Sequence, residues 1–328
     1  MIDGYLAGSF PRSPELIEAT INFEKGKIDE ADLEKEFARA TDELVKLQVS
    51  KKFGYVADGM LRWSDLLRPF TTELGGIEVG ALTRWFDNNT FYRKPIIVNE
   101  LKGNKKIALR ITHKNQLPRK VEWKAILPAP FTFAQLSENK HYRNKSELMF
   151  SYSKILREGM KDLAEADFSY VQLSDPSLVY RPLKGPIQKE ELAGVKEALR
   201  EAIKGVEVRT SLQTFFGDFA KILPEALDFP VDDLGFDLYE TSISELGKYE
   251  FTKGIALGLV DSRNSVLENS AELAKIAKHL IESVYPSKIK EVFICPNTDL
   301  DFLPWKVAER KVDTVSKVVN ALRGDLLG

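Results

Sequence analysis

The chain has 328 residues, 43% hydrophobic and 29% charged, with a formal net charge of −2 and a single cysteine. That composition describes a globular protein with a full core and no basic excess for neutralising phosphates, so a general nucleic-acid binder is excluded. One cysteine excludes a disulfide framework and fits a reducing cytoplasm, no apolar run reaches the ~20 residues of a membrane span, and no secretory signal opens the sequence.

The first punctuated unit, Tyr5-Leu6-Ala7-Gly8-Ser9-Phe10-Pro11-Arg12, reads as a short strand running into a Gly/Pro turn. Ser13-Pro14-Glu15 then starts a helix, with Ser as cap and Pro at the first helical position. A second helix begins near Asp29 and carries Leu33, Phe37, Leu44 and Leu47 at helical spacing, and Gly54-Tyr55-Val56-Ala57 reads as the next strand. From about 75 to 120 the rhythm breaks into an irregular or hairpin-like insertion, with Ile96-Ile97-Val98 and Ile107–Ile111 as its strands. The strand Val121–Leu127 follows and closes on Pro128-Ala129-Pro130.

Helix and strand then alternate. The helix Lys145–Ala164 leads to Tyr170–Leu173, the helix Lys189–Ile203 to Val206–Thr210, and Gly235–Tyr239 is followed by Gly254–Val260. The helix Ser270–Ser283 leads to Glu291–Ile294, and the last helix spans about Lys306–Leu322. About eight strands with helices between them predict a (β/α)8 TIM barrel, with the hairpin insertion before its third strand, as one domain over residues 1–328. A doubly wound open sheet is the alternative, but Gly8-Ser9-Phe10-Pro11 is not the glycine-rich phosphate turn that it needs.

Polar residues recur just past the expected strands: Ser9 and Arg12, Asp58, Asp175, Thr210 and Ser211, Glu240, Asp261 with Arg263 and Asn264, and Asn297 with Asp299. Each alone is an ordinary turn or cap residue. In a barrel they converge on one face, where carboxylates opposite Arg12, Arg62 or Arg263 would make a pocket for a small zwitterionic or anionic ligand. The stretch Leu82–Pro95, LTRWFDNNTFYRKP, follows neither helical nor strand periodicity and reads as a tightly turned loop. It is either a packed loop or a ligand-contacting one, with Arg84 as an anion clamp and the aromatics as walls for a flat ring.

That stretch resembles the T-K-W-F-[ND]-T-N-Y-H-Y-x-V-P segment in the N-terminal half of cobalamin-independent methionine synthases. The shared residues are Thr83, Trp85, Phe86, Asp87, Asn89, Tyr92 and Pro95, with Arg84 where the family has Lys and Phe91 where it has His. Gly8–Arg12, Val171–Leu178, Leu212–Asp218 and Asp261–Asn264 are similar to further motifs of the family, as is Asn297–Leu300 with Pro304 and Lys311 beyond it. The resemblance favours the zinc-free N-terminal half, as a single-barrel homologue of archaeal type.

The family's catalytic half binds zinc through a His-x-Cys pair, a Glu and a later Cys, because the homocysteine thiol must attack as thiolate. The matching positions here are Leu212, Thr214, Glu240 and Thr298, so only Glu240 keeps a ligand type. His113, His141 and His279 do not fall where that pattern needs them. The family's Asp for the homocysteine amino group aligns with Ser174, beside Asp175, and its carboxylate after the second strand aligns near Met60.

The resemblance therefore implies a barrel with no metal and no tightly bound cofactor, which binds a folate-like or other methyl donor and works in methionine biosynthesis with a separate zinc-bearing catalytic barrel. Arg84 would take the family lysine's role toward the donor's acidic tail, with Trp85, Asn89 and Tyr92 shaping the site. A stand-alone barrel enzyme on an anionic substrate, similar to uroporphyrinogen decarboxylase and using Arg12, Arg62 and Asp58, is the alternative. A degenerate paralogue that only scaffolds a partner is a third reading.

Overall fold

A computed structural model describes residues 1–104, 106–112, 121–182 and 185–327. His113 and the expected end of the insertion at 120 lie outside them. Eight parallel strands form one curled sheet in the order β1 (Ile2–Gly4), β11 (Val292–Pro296), β10 (Gly254–Val260), β9 (Asp233–Asp237), β8 (Arg209–Gln213), β7 (Phe168–Ser174), β5 (Trp123–Pro128) and β2 (Val56–Ala57). Helices α1 (Pro14–Glu24), α2 (Glu30–Ser50), α6 (Lys145–Glu165), α7 (Lys189–Ile203), the short α8 (Ile243–Leu246), α9 (Ser270–Val284) and α10 (Trp305–Leu327) connect or follow them. This is the TIM-barrel fold expected from the alternation. Ser13 caps α1 by accepting from the Leu16 N–H, and Asp29 caps α2 by accepting from Asp32.

Between the first two strands the seam is bridged by a side chain. Asp3 on β1 accepts from the Gly54 N–H at 3.0 Å, and Arg323 of α10 holds its other oxygen at 3.3 Å. The first strand thus precedes the expected one. Tyr5 still donates its N–H to Ile294 O at 3.2 Å, but Leu6 and Ala7 leave the ladder, their carbonyls taken by buried side chains: Lys124 Nζ donates to Leu6 O at 2.8 Å and Gln172 Nε2 to Ala7 O at 2.6 Å. Lys124 sits 3.1 Å from the centre of the Tyr5 ring, and burial drives its pKa well below that of a free lysine. Tyr5, Tyr170, Phe293 and Cys295 fill the barrel around it. On β8 and β9, Arg209 grips the fully buried Asp233 at 2.7 and 2.5 Å, and Tyr170 donates to the same carboxylate at 2.8 Å.

Several boundaries differ from the sequence expectation. Ile107–Ile111 is not a strand but the short helix α4, since Ile107, Ala108 and Ile111 bury one face, with Ala108 set against Gly159 of α6. β8 starts at Arg209 rather than at Val206, because Val206 and Val208 pack on the core from a turn outside the sheet. β9 starts and ends two residues early, its acidic ends Asp233 and Asp237 having hidden a strand that is buried throughout. Leu82–Pro95 is not an irregular loop. β3 (Gly75–Arg84) and β4 (Phe91–Lys102) form an antiparallel hairpin, pairing Thr83 with Tyr92 and Arg84 with Phe91 around a tight turn at 85–90. A bulge between Val79 and Leu82 breaks the alternation that would have marked it. The two-residue strand β6 (Glu138–Asn139) pairs with β4, and α3 (Arg68–Glu73) and α5 (Pro130–Leu136) complete this side.

Candidate functional site

The C-terminal ends of the strands carry three neighbouring groups of polar side chains. Under β7 and β8, Asp175 is fully buried. Its Oδ1 accepts from Thr132 Oγ1 at 2.6 Å, and that hydroxyl oxygen accepts in turn from the Ser177 N–H at 3.1 Å. Asp175 Oδ2, Ser177 Oγ and both polar atoms of Gln213 are buried with no hydrogen-bond partner in the protein. Burial pushes the Asp175 carboxyl up to about 7, against the lowering effect of Thr132.

Beside it, Asp237 ends β9 and accepts from the Tyr239 N–H at 2.9 Å, from Asn297 Nδ2 at 3.2 Å and from the Phe216 N–H at 3.4 Å. Burial lifts its pKa to about 6. On the rim above, Glu240 accepts from Arg263 at 2.8 Å, and the Arg263 guanidinium lies 6.0 Å from the Phe216 ring centre. Asn264 is exposed and caps its own turn by accepting from Val266.

The third group joins the first and last strands. Ser9 donates to Asp299 Oδ1 from its N–H at 2.9 Å and from its hydroxyl at 3.1 Å, while desolvation still raises the Asp299 carboxyl above its ordinary value. Ser9, Arg12, Met60, Trp63, Asp301 and Trp305 line a cleft of about 620 Å³. Arg12 Nε donates to Leu61 O at 2.8 Å, which fixes the guanidinium on the wall. Asp58 is half-buried, accepts from the Met60 N–H, and is desolvated to a pKa of about 6. Arg62 does not line that cleft; its guanidinium lies 4.5 Å from the Phe37 ring centre, which Arg12 also approaches at 5.6 Å, and it pairs with Glu34 at 2.5 Å.

The hairpin tip lies across these groups. Trp85 and Tyr92 are buried, while Arg84, Asp87, Asn89 and Phe91 are exposed. Trp85 meets Phe86 edge-on at 4.8 Å. Phe86 in turn meets Tyr180 at 5.3 Å and Phe216 at 5.5 Å. The expected set is thus divided. Ser9, Arg12 and Asp299 gather at one seam, Asp58 accepts from the Met60 N–H, Asp175 is buried against Thr132, Glu240 and Arg263 pair on the rim, and Arg84 is exposed. Arg62 and Asn264 are occupied in local contacts.

A family profile described as the catalytic domain of cobalamin-independent synthase matches residues 5–321. The chain belongs to that family. A "Methionine synthase" of Saccharolobus solfataricus is 28% identical over 324 residues, covering 97% of this chain and 94% of its own. One from Sulfolobus acidocaldarius is 24% identical, with 98% and 90% covered. Among solved structures, a B12-independent methionine synthase from Shewanella sp. W3-18-1, in complex with selenomethionine, superposes with a TM-score of 0.81 at 17% identity, covering 99% and 98% of the two chains. That last likeness is one of fold.

The structure places the four positions that the sequence comparison set against the family's zinc ligands. Leu212 is fully buried and apolar, and Thr214 Oγ1 donates to Gly235 O at 3.1 Å. Thr298 is buried, and Glu240 is tied to Arg263. Cys295 faces the barrel interior, where burial pushes its thiol up to about 12. Among the described residues no group of three or more His, Cys, Asp or Glu side chains is arranged to hold a metal ion. Such a donor set offers neither thiolate nor imidazole, so the residues present do not fit a tetrahedral zinc.

Sequence reading missed Asp237, Gln213 and Thr132, and the spanning role of Phe86, Tyr180 and Phe216. Asp237 was legible as a strand-end carboxylate, had β9 been placed two residues earlier. Phe86 stood among the aromatics noted at the hairpin, but nothing local linked it to Tyr180 and Phe216, which come from two other segments. Among the described residues no helix is long and apolar enough to cross a membrane.

Proposed function

We propose that this chain is a methionine-synthase-family barrel that holds no zinc of its own and acts with a separate zinc-bearing chain in methionine biosynthesis. The observation that carries this reading is the donor set at positions 212, 214, 240 and 298: a buried Leu, a Thr hydroxyl spent on a backbone carbonyl, a Glu spent on Arg263, and a second Thr. Binding homocysteine as its thiolate near neutral pH needs a metal or an equivalent cation, and this strand end supplies no soft ligand for one. The chain's own share is to bind. The cleft beside Ser9 offers Arg12 for an anionic group and the indoles of Trp63 and Trp305 for a flat ring, as a methyl donor of folate type presents. Arg84, exposed at the hairpin edge, supplies the charge for the donor's acidic tail in this reading.

Metal analysis of the purified chain, and methionine formation with and without a zinc-bearing family barrel, test the proposal. The expected result is less than stoichiometric zinc, no methionine from the chain alone, and co-elution with a rise in the partner's rate on mixing. One zinc held per chain, or methionine made by this chain as sole catalyst, would refute it. The second result would make it a complete synthase, like the same-length relatives that carry that name.

A further inference from the structure

Beyond Tyr5 the chain leaves β1 and runs to the cleft with no strand partner of its own. The next two carbonyls are held by side chains from two neighbouring strands, Leu6 O by Lys124 of β5 at 2.8 Å and Ala7 O by Gln172 of β7 at 2.6 Å. Both side chains are buried, at 1% and 0% exposure. Among the described residues Lys124 makes no other hydrogen bond and no ion pair; its Nζ otherwise meets the Tyr5 and Tyr170 rings, 3.1 and 5.4 Å from their centres. An amine is costly to bury, and here a single backbone carbonyl takes its hydrogen bond. Gly8 follows, packed so closely on the end of the last strand that an added Cβ would fall 2.2 Å from Asp299 Oδ1 and 2.9 Å from Asp299 Cα. Ser9 then donates twice to Asp299 and accepts from the Leu300 N–H at 2.8 Å, and the Phe10 N–H donates to Gly59 O at 2.9 Å. Ser9, Phe10 and Arg12 come from this one run and line the 620 Å³ cleft together with Asp301.

We propose that Lys124 and Gln172 are positioning residues for the cleft, acting from the barrel core through the Leu6 and Ala7 carbonyls on Ser9 and Arg12. The physical reason is the fate of those carbonyls. Without their donors they would be buried and unpaired, so the segment would shift to find water or another partner. Gly8 has no room to move toward Asp299, so the shift carries Ser9 away from that carboxylate. Arg12, three residues on, is fixed only by its own bond to Leu61 O and follows. That Arg12 meets an anionic ligand rests on the proposed function, whereas the positioning of Ser9 does not.

The test replaces Lys124 by Met, which keeps the length of the side chain and removes the donor, and reads the titration of Asp301. Burial raises that carboxyl to about 7, with Asp299 beside it adding to the rise and the Ser9 hydroxyl opposing it. In Lys124→Met the hydroxyl withdraws, so the Asp301 pKa climbs by about one further unit. Amide exchange at Ser9 and Leu300 quickens about tenfold as their bonds weaken. Carboxyl-carbon NMR of aspartate-labelled protein, assigned with Asp301→Asn, follows the titration. Cys295→Ala controls for damage to the core alone: it disturbs the same interior cluster, its thiol bonds Leu257 O rather than Leu6 or Ala7, and it leaves Asp301 unmoved. An Asp301 titration unchanged in Lys124→Met, or shifted as far by Cys295→Ala, overturns the positioning. Should Lys124→Met fail to fold, Gln172→Met releases Ala7 O and is read in the same way. Titration with methyltetrahydrofolate is the separate arm. Affinity lowered about tenfold in Lys124→Met supports the cleft as the donor's site. Unchanged affinity beside a shifted Asp301 keeps the positioning and refutes the donor's place in this cleft.

Discussion

Arg84 and Trp85 are neighbours in sequence with opposite surroundings, and this makes them the sharpest test of the donor-binding reading. Arg84 stands exposed on β3 opposite Phe91, whereas Trp85 is only 6% exposed and meets Phe86 and Tyr92 edge-on at 4.8 and 5.8 Å. Truncating a surface arginine away from any core contact changes stability by no more than about 0.5 kcal/mol. If it clamps an anion, Arg84→Ala forfeits a charge-assisted hydrogen bond of roughly 1.5–3 kcal/mol, about a ten- to hundredfold loss of affinity. Trp85→Ala removes a buried indole, which costs about 3–5 kcal/mol. At about 2 °C per kcal/mol for a chain of this size, Tm falls by roughly 6–10 °C. Arg84→Lys keeps the charge but loses the forked donor geometry, so it falls between wild type and Ala in affinity. The assay is titration with a polyglutamylated methyltetrahydrofolate beside thermal melts of the three variants. If Arg84→Ala binds as wild type does, or melts as low as Trp85→Ala, the hairpin is packing alone and its arginine clamps nothing.

Arg209→Met leaves the Asp233 carboxylate buried without its cation and destabilises the chain by about 3–5 kcal/mol, while Arg209→Met with Asp233→Leu regains most of the loss; urea unfolding of the two variants checks this. Burial raises Asp58, Asp175 and Asp237 to about 6, 7 and 6, so the folded state holds protons that the unfolded chain has released. Their contribution is present below the unfolded pKa of about 4 and is lost as pH rises through 6–7, so chemical stability at pH 8 lies below that at pH 5 on their account. Asp175→Asn, whose Oδ1 still accepts from Thr132, removes the largest part of that slope and is more stable than wild type at pH 8; an unaltered slope would refute the assignment. Gly235 lies against Gln213, where an added Cβ would fall 1.9 Å from Oε1, so Gly235→Ala overpacks the strand end and destabilises the chain by about 1–3 kcal/mol, read by urea unfolding.

How much was legible follows from the range of each interaction. Helix periods, the caps at Ser13 and Asp29, and the eight-fold alternation are local, and the sequence alone carried them to the barrel and its family. That the sequence contains no His-x-Cys pair was equally visible, since it is a matter of residue identity. Boundaries failed where a distant partner overrides local preference. Lys124 and Gln172 draw the carbonyls of Leu6 and Ala7 out of the first strand, and Arg209 makes an acidic Asp233 acceptable inside a strand. The hairpin-like insertion was legible, but the pairing of Leu82–Arg84 with Phe91–Arg93 was not, because a bulge shifts the register that periodicity relies on. Which polar residues share a site was a tertiary decision throughout. Ser9 meets Asp299 across 290 positions of chain, and Phe86 reaches Tyr180 and Phe216 only because the hairpin folds back over the mouth. Residue types declare what chemistry is available; closure of the barrel brings chosen ones within a hydrogen bond of each other, and no local pattern encodes that distance.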